Sequence, residues 1–142
     1  MAIYIDTSLL LSLILEDSQY AKAYAIWENH PSKAASSLIK IESVISLKRL
    51  YFLQFAKKNK NWLKDKMKIL NELLNEIHLL NINDDVYSKI LENDELSRCK
   101  SLDAIHIATA LIFQDFLSED LLIGSLDEKF RKICKDLKFN CG

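Results

Sequence analysis

Glycine is scarce in this chain, with Gly124 and Gly142 the only two in 142 residues. The P-loop and the G-x-G-x-x-G dinucleotide turn need several glycines, because these let backbone N–H groups come close to a phosphate. The sequence therefore excludes both motifs. If the protein handles phosphates, we expect it to do so through a metal ion.

Cysteines and long apolar runs are also few. Cys99, Cys134 and Cys141 are an odd number without the spacing of a metal site, so we expect reduced thiols in a cytosolic protein. The N-terminus lacks a basic region, and Asp6 interrupts its apolar run, which is not typical of a signal peptide. No uncharged stretch approaches the length of a membrane-spanning helix. We therefore expect a cytoplasmic protein without a membrane partner.

An excess of charge of one sign is missing as well. The chain has 19 basic and 20 acidic residues and a net charge of -1, so it has no overall attraction for nucleic acid. The one locally basic run, residues 57–68, contains Trp62. It could guide an RNA backbone and stack a base, or it could be a solvated helix face.

Apolar residues make up 49% of the chain, which excludes a disordered protein. We expect one domain over residues 1–142, with a core that needs no disulfides. Short apolar runs alternate with helical patterns, which predicts a parallel sheet with helices on both faces. Predicted strands cover 2–5, 33–36, 77–82, 121–124 and 139–141. Predicted helices cover 8–16, 19–29, 37–56, 60–76, 84–91, 101–114 and 126–137, and 92–100 is predicted to be irregular.

The first strand ends at a carboxylate, Asp6, which is followed by Thr7 and Ser8. Ligands of open α/β sheets bind beyond the carboxyl ends of the strands, so Asp6 lies where chemistry is expected. The alternative is that Asp6 or Thr7 only caps the next helix.

Three further acids lie in similar settings. Asp103 is in the first helical turn of S-L-D-A-I-H-I-A-T-A, where the helix dipole would stabilise it. Its face carries no evident cation, however, and burying a lone carboxylate is costly. Glu42 lies on an apolar helix stripe, either at its edge or aimed at a ligand. Asp127 follows a strand within a predicted capping box of Ser125 and Glu128.

These motifs together resemble the PIN-domain nucleases, above all the VapC-like toxins of bacterial and archaeal type II toxin–antitoxin pairs. The resemblance rests on Y-I-D-T-S-L-L, the isolated Glu42, S-L-D-A-I-H-I-A-T-A and strand–S-L-D-E, and it covers essentially the whole chain. It implies a three-layer α/β/α PIN-like domain with a central, mostly parallel sheet of four or five strands. It also implies a metal-dependent endoribonuclease.

The resemblance implies a catalytic and metal-binding quartet with supporting hydroxyls. The quartet is Asp6, Glu42, Asp103 and Asp127, and the hydroxyls are Thr7, Ser8 and Ser125; Asp115, Asp120 and Glu128 are alternatives to Asp127. Oxygen ligands favour Mg²⁺ or Mn²⁺ over Zn²⁺. The implied partners are an RNA substrate, a cognate antitoxin and a second copy of the chain. The surface that binds the antitoxin and the second copy could include five aromatic residues of the second and third helices. These residues could instead pack the core: Tyr20, Tyr24, Trp27, Tyr51 and Phe52.

Other interpretations remain open. The chain could be a non-toxin PIN protein of RNA processing, or a non-catalytic scaffold that binds RNA or protein. His106 could act as a general base or could be a packed, hydrogen-bonded residue. Two other classes are disfavoured. A receiver domain would need paired acids after the first strand and a lysine after a late strand, which Asp6-Thr7 and Gly124-Ser125 do not supply. A dehalogenase-type phosphatase would need D-x-D after the first strand, where this chain has Ser8 in the third place.

Overall fold

A computed structural model of the protein describes residues 1–55 and 59–142, with the backbone alone at residue 55. The strands are β1 (Ile3–Ile5), β2 (Lys33–Ser36), β3 (Ile77–Leu80), β4 (Leu122–Gly124) and β5 (Asn140–Cys141). The helices are α1 (Thr7–Leu15), α2 (Tyr20–Glu28), α3 (Leu38–Leu50), α4 (Trp62–Leu74), α5 (Asp84–Glu92), α6 (Ser101–Phe116) and α7 (Glu128–Asp136). A π-helical segment, Tyr51–Phe55, extends α3.

The five strands form one sheet in the order β3-β2-β1-β4-β5, and every neighbouring pair is parallel. The chain first builds outward from β1 to β3, then returns to add β4 and β5 on the other side of β1. A point where the strand order reverses in this way opens a crevice at the carboxyl ends of the two central strands. Here those strands are β1 and β4.

Alternating side chains of β1 divide the core into two halves. Ile3 and Ile5 pack with apolar residues of α1 to α4 on one face of the sheet. Tyr4 packs with residues of α5 to α7 on the other face. The period of two in a strand produces this division. The predicted three-layer α/β/α architecture, with a parallel sheet of four or five strands, is confirmed.

Two local predictions are wrong. Asp94–Arg98 forms a 3-10 helix within the segment predicted to be irregular. The capping box of Ser125 and Glu128 does not form either, because the Ser125 hydroxyl donates to the Asp6 carboxylate. The predicted end of the third helix, residue 56, lies outside the described residues.

Within the described part of the chain, no helix is both long and apolar enough to cross a membrane.

Candidate active site

The crevice between β1 and β4 gathers the residues that follow these strands. The Asp6 N–H donates to the Gly124 carbonyl at 2.9 Å and ties the two strand ends together. A Cβ on Gly124 would lie 2.8 Å from Ile3 Cδ1 and 3.3 Å from the Tyr4 carbonyl, so glycine permits this close approach. Asp6 and Ser125 are thereby placed side by side.

Asp6 is only 6% exposed and is held by two hydroxyls. Its Oδ2 accepts hydrogen bonds from Ser8 Oγ and from Ser125 Oγ, each at 2.8 Å. Asp6 occupies the N-cap position of α1, but its side chain makes no capping hydrogen bond. The capping interpretation of Asp6 is therefore wrong. In the described residues its second oxygen, Oδ1, has no hydrogen-bond partner, which leaves it available to a ligand.

Backbone amides of the β4–α7 connection anchor the two serines. The Leu126 N–H donates to Ser8 Oγ at 2.9 Å, and the Asp127 N–H donates to Ser125 Oγ at 3.1 Å. Each serine therefore accepts from the backbone and donates to Asp6. This second task explains why Ser125 does not cap α7. Asp127 caps it instead, accepting from the N–H groups of Lys129 at 3.0 Å and Phe130 at 3.2 Å.

Glu42 is directed into the structure rather than lying at the edge of its stripe. Its Oε1 accepts a hydrogen bond from Thr7 Oγ1 at 2.8 Å and another from His106 Nε2. Burial favours a higher pKa for Glu42, but the hydrogen bond and electrostatic attraction of His106, followed by the hydrogen bond from Thr7, lower this pKa overall. Glu42 is therefore a carboxylate at neutral pH. This hydrogen bond links Glu42 on α3 to Thr7, the residue that follows Asp6 in the chain.

Asp103 is a half-buried acid without compensation. Among the residues that the structure describes, none gives its carboxylate a hydrogen bond or an ion pair. Burial raises the pKa of Asp103, and the negative charges of Asp6, Asp127 and Glu42 raise it further, against a smaller opposite effect of His106. The four predicted acids are thus close enough to interact electrostatically. Their repulsion disfavours the ionised form of Asp103.

Asp103 and Asp127 also line one cavity of about 370 Å³. Three cationic side chains share its lining, namely Arg98, Lys100 and Lys129. Arg98 is engaged in ion pairs with Asp136 at 2.7 Å and Glu95 at 3.2 Å. The cavity is therefore lined by both acidic and basic side chains near the N-termini of α6 and α7.

The three alternatives to Asp127 lie away from this crevice. Asp115 is on α6 about 18 Å beyond Asp103, at 1.5 Å per residue, and pairs with Lys89 at 2.6 Å. Asp120 precedes β4 and so lies near the amino end of that strand, whereas the crevice is at its carboxyl end. The Glu128 side chain is 84% exposed, with Arg131 at 3.9 Å as its ion-pair partner. Of these four candidates, Asp127 is the one that lines a cavity with Asp103.

The donor set fits a hard divalent cation in its chemistry. It consists of carboxylate oxygens, and the uncompensated charge of Asp103 is what such an ion would neutralise. In the described residues, no three His, Cys, Asp or Glu side chains stand close enough to hold a metal ion as a group. Mg²⁺ usually takes one or two carboxylates and completes its shell with water, so this spacing is compatible with that ion.

Three residues next to the predicted site were not identified from the sequence, namely Tyr4, Lys100 and Lys129. Tyr4 is a fully buried strand residue whose hydroxyl lies 2.8 Å from His106 Nδ1. The available signal was a tyrosine two residues before a predicted site acid in a buried strand. A buried tyrosine hydroxyl needs a hydrogen-bond partner, and that partner would lie near the site. Lys100 and Lys129 flank Asp103 and Asp127 at helix starts, and only the tertiary packing brings them to one cavity.

In the described part of the basic run, the aromatic residue is half-buried. Trp62 stacks on Tyr51, with ring centroids 6.3 Å apart and planes 8° from parallel. Lys66 donates to the Ile14 carbonyl at 3.0 Å, and Lys64 and Lys68 lie on the exposed side of α4. Lys57 and Lys58 fall outside the described residues. The described part of the run therefore favours a solvated helix face.

The predicted aromatic contact surface divides into two groups. Trp27 belongs to the core, with Lys33 Nζ 4.5 Å from its ring centroid. Tyr20 and Tyr51 are half-buried, whereas Tyr24 and Phe52 are exposed. Tyr24 and Phe52 are therefore the most accessible of the five aromatic residues to a partner.

Comparison with known proteins identifies the family of this chain. The family model of the PIN domain matches residues 3–136, which includes all four acids and both central strands. The chain therefore belongs to the PIN domain family. None of the curated proteins compared with this chain is significantly similar to it in sequence.

Two solved structures share the fold. A chain of the crystal structure of VapBC2 from Rickettsia felis bound to a promoter DNA fragment aligns with a TM-score of 0.67 and 14% identity. The alignment covers 100% of this chain and 98% of that one. A chain of a toxin–antitoxin complex from Klebsiella pneumoniae aligns with a TM-score of 0.55 and 20% identity, over 84% of this chain and 83% of that one.

Proposed function

We propose that this protein is a Mg²⁺- or Mn²⁺-dependent ribonuclease that hydrolyses RNA phosphodiesters as the toxin of a toxin–antitoxin pair. The observation that carries the proposal is Asp103, a half-buried carboxylate without a partner in the described residues and destabilised by burial and by three other acids. A protein keeps such a group where a ligand compensates for it. A divalent cation with an RNA phosphate is that ligand.

The residues divide the work between them. Asp6 is fixed by Ser8 and Ser125 through Oδ2, and Asp103 and Asp127 face one cavity. One or two of these three carboxylates would hold the cation directly, and the others would hold it through its bound water. Glu42, fixed by Thr7, would hold it directly or through a water molecule. When bound, the ion supplies an activated water and neutralises charge on the phosphate and leaving oxygen. No nucleophilic side chain is then required.

The antitoxin part of the proposal is supported by an apolar surface. Four side chains on α3 and the segment that follows it are largely exposed: Ile41, Ile45, Phe52 and Leu53. Exposed apolar clusters mark interaction sites, and an amphipathic antitoxin helix is a fitting occupant.

A second copy of the chain is also part of the proposal, as is action in the cytoplasm, where the RNA substrate is found.

The test is RNA cleavage by the purified protein, with Mg²⁺ or Mn²⁺ and with excess chelator. We expect cleavage only with the metal, its loss in Asp103→Asn, and its retention in Asp115→Asn. The control removes an acid from the same helix outside the site. Cleavage by Asp103→Asn at the wild-type rate would contradict the proposal.

A non-catalytic PIN scaffold is the second candidate. The observation in its favour is that no three potential metal ligands among the described residues stand together as a ready site. The two candidates differ in the chelator experiment, since a scaffold binds RNA without cutting it. Growth arrest on expression, relieved by Asp103→Asn, would separate a toxin from a non-toxin nuclease of RNA processing.

A further inference from the structure

His106 links the candidate site to the centre of the fold. It is 1% exposed and lies on α6 one turn after Asp103. Its Nδ1 is 2.8 Å from Tyr4 Oη, and its Nε2 contacts Glu42 Oε1. One imidazole therefore joins β1, α6 and α3. A buried histidine bonded through both ring nitrogens has a fixed orientation.

The partners determine which nitrogen donates. An ionised carboxylate can only accept hydrogen bonds, so Nε2 carries the proton that faces Glu42. Tyr4 Oη accepts from the Ser36 N–H at 3.0 Å. With Nε2 protonated, a neutral imidazole can only accept at Nδ1, so the phenol donates its proton to Nδ1 across 2.8 Å. Burial raises the pKa of Tyr4 well above its usual value, so that proton is retained. Tyr4 thus fixes His106 as a donor to Glu42 through Nε2.

Glu42 is constrained at one oxygen only. Thr7 and His106 both donate to Oε1, while Oε2 has no hydrogen-bond partner in the part of the chain that the structure describes. The side chain is 21% exposed. A glutamate has several rotatable bonds, so a single donor would leave the direction of its second oxygen poorly defined. Two donors from different helices, Thr7 on α1 and His106 on α6, together fix the orientation of the Glu42 carboxylate.

We propose that His106 is a positioning residue, which holds Glu42 Oε1 and thereby leaves Oε2 available to the cation or its bound water. Tyr4 supports it by fixing the ring. The inference rests on the proposed function, because it assigns His106 a role in the same metal site. Residues that orient metal ligands from behind typically contribute 10- to 100-fold to metal affinity or activity.

Three variants test the role. His106→Phe keeps a buried ring and removes the donor, His106→Gln keeps an N–H donor, and His78→Gln is a control at an exposed histidine of β3. Mn²⁺ affinity is measured by calorimetry without RNA, and circular dichroism verifies folding. We expect His106→Phe to bind Mn²⁺ roughly 10- to 100-fold more weakly, His106→Gln to recover most of the loss, and His78→Gln to match wild type.

A double-mutant cycle separates positioning from general packing. If His106 acts through Glu42, His106→Phe adds little to the loss of Mn²⁺ affinity in Glu42→Gln. In the RNA cleavage assay, kcat falls in His106→Phe while KM for RNA is kept. Additive losses in the cycle would overturn the proposal, as would wild-type affinity in His106→Phe.

A measurement on the unaltered protein keeps the test decisive if His106→Phe does not fold. Long-range nitrogen–proton correlation spectra report which imidazole nitrogen carries a proton. We expect a protonated Nε2 at His106, and an Nε2 without a proton would overturn the proposal. Wild-type protein that binds no Mn²⁺ would instead contradict the proposed function itself.

Discussion

Replacing Asp103 by asparagine should stabilise the protein while it abolishes cleavage. The Asp103 pKa is raised by burial and then by the charges of Asp6 and Asp127, so the native state disfavours its ionised form. The cost is absent below the unfolded-state pKa, about 3.9, and is fully present once the pH exceeds the folded-state pKa. Asparagine has nearly the same size and never ionises, so it removes this cost at neutral pH.

The expected gain is modest because Asp103 is only half-buried. Relief of one unfavourable charge commonly increases the free energy of unfolding by about 0.5–2 kcal/mol. For a chain of this length, 1 kcal/mol corresponds to a rise in Tm of roughly 3–5 °C. The difference between variant and wild type should shrink as the pH falls below the ordinary range of an aspartate, because Asp103 is then protonated in both states.

Thermal unfolding followed by circular dichroism, with a chelator at pH 7 and again at low pH, measures this difference. Asp115→Asn is the matched control, and we expect no gain from it, since it loses the ion pair with Lys89. Excess Mn²⁺ should reverse the order: at 100 times its Kd, a ligand stabilises the wild type by about 2.7 kcal/mol. If Asp103→Asn lowers Tm in chelator, the carboxylate is well compensated and the reasoning is refuted.

Four further outcomes follow from the same contacts. Asp6→Asn should reduce RNA cleavage by roughly a hundredfold or more, measured as kcat, with the circular dichroism spectrum unchanged; wild-type kcat would exclude Asp6 from the site. Ser125→Ala removes a 2.8 Å hydrogen bond to the buried Asp6 carboxylate and should lower the free energy of unfolding in urea by about 1–3 kcal/mol. Tyr4→Phe leaves the Ser36 N–H and His106 Nδ1 without their partner and should cost a similar amount, about 1–3 kcal/mol, whereas Tyr24→Phe, at an exposed tyrosine, should cost almost nothing. Glu42→Gln should weaken cleavage and leave thermal unfolding without metal little changed; a large drop in Tm would instead indicate a purely structural role for this residue.

Local sequence patterns predicted the strands and the acids that follow them. Apolar runs bounded by turn residues are short-range signals, and ligand sites of α/β sheets lie at the carboxyl ends of the strands. Asp6 and Asp127 could therefore be placed from their neighbours in the chain. Glu42 required the family resemblance, because an acid on an apolar helix stripe is equally typical of a stripe edge.

The remaining features depend on tertiary contacts. Ser125 and Asp127 both suit the start of α7, and the choice between them is made by Asp6, which is 119 positions from Ser125 in the sequence and takes its hydroxyl. The same limit applies to Tyr4 and His106, whose contact joins residues 102 positions apart. Trp27 and Tyr24 share one helix, yet Trp27 belongs to the core and Tyr24 is exposed. No local pattern distinguishes these outcomes.

The most direct test is the position of Mn²⁺ in crystals of the wild-type protein, located by anomalous scattering. We predict an anomalous peak at the carboxyl ends of β1 and β4, with Asp6 and at least one of Asp103 and Asp127 among its ligands. RNA cleavage that depends on Mn²⁺, together with a peak remote from these three carboxylates, would contradict the proposed site.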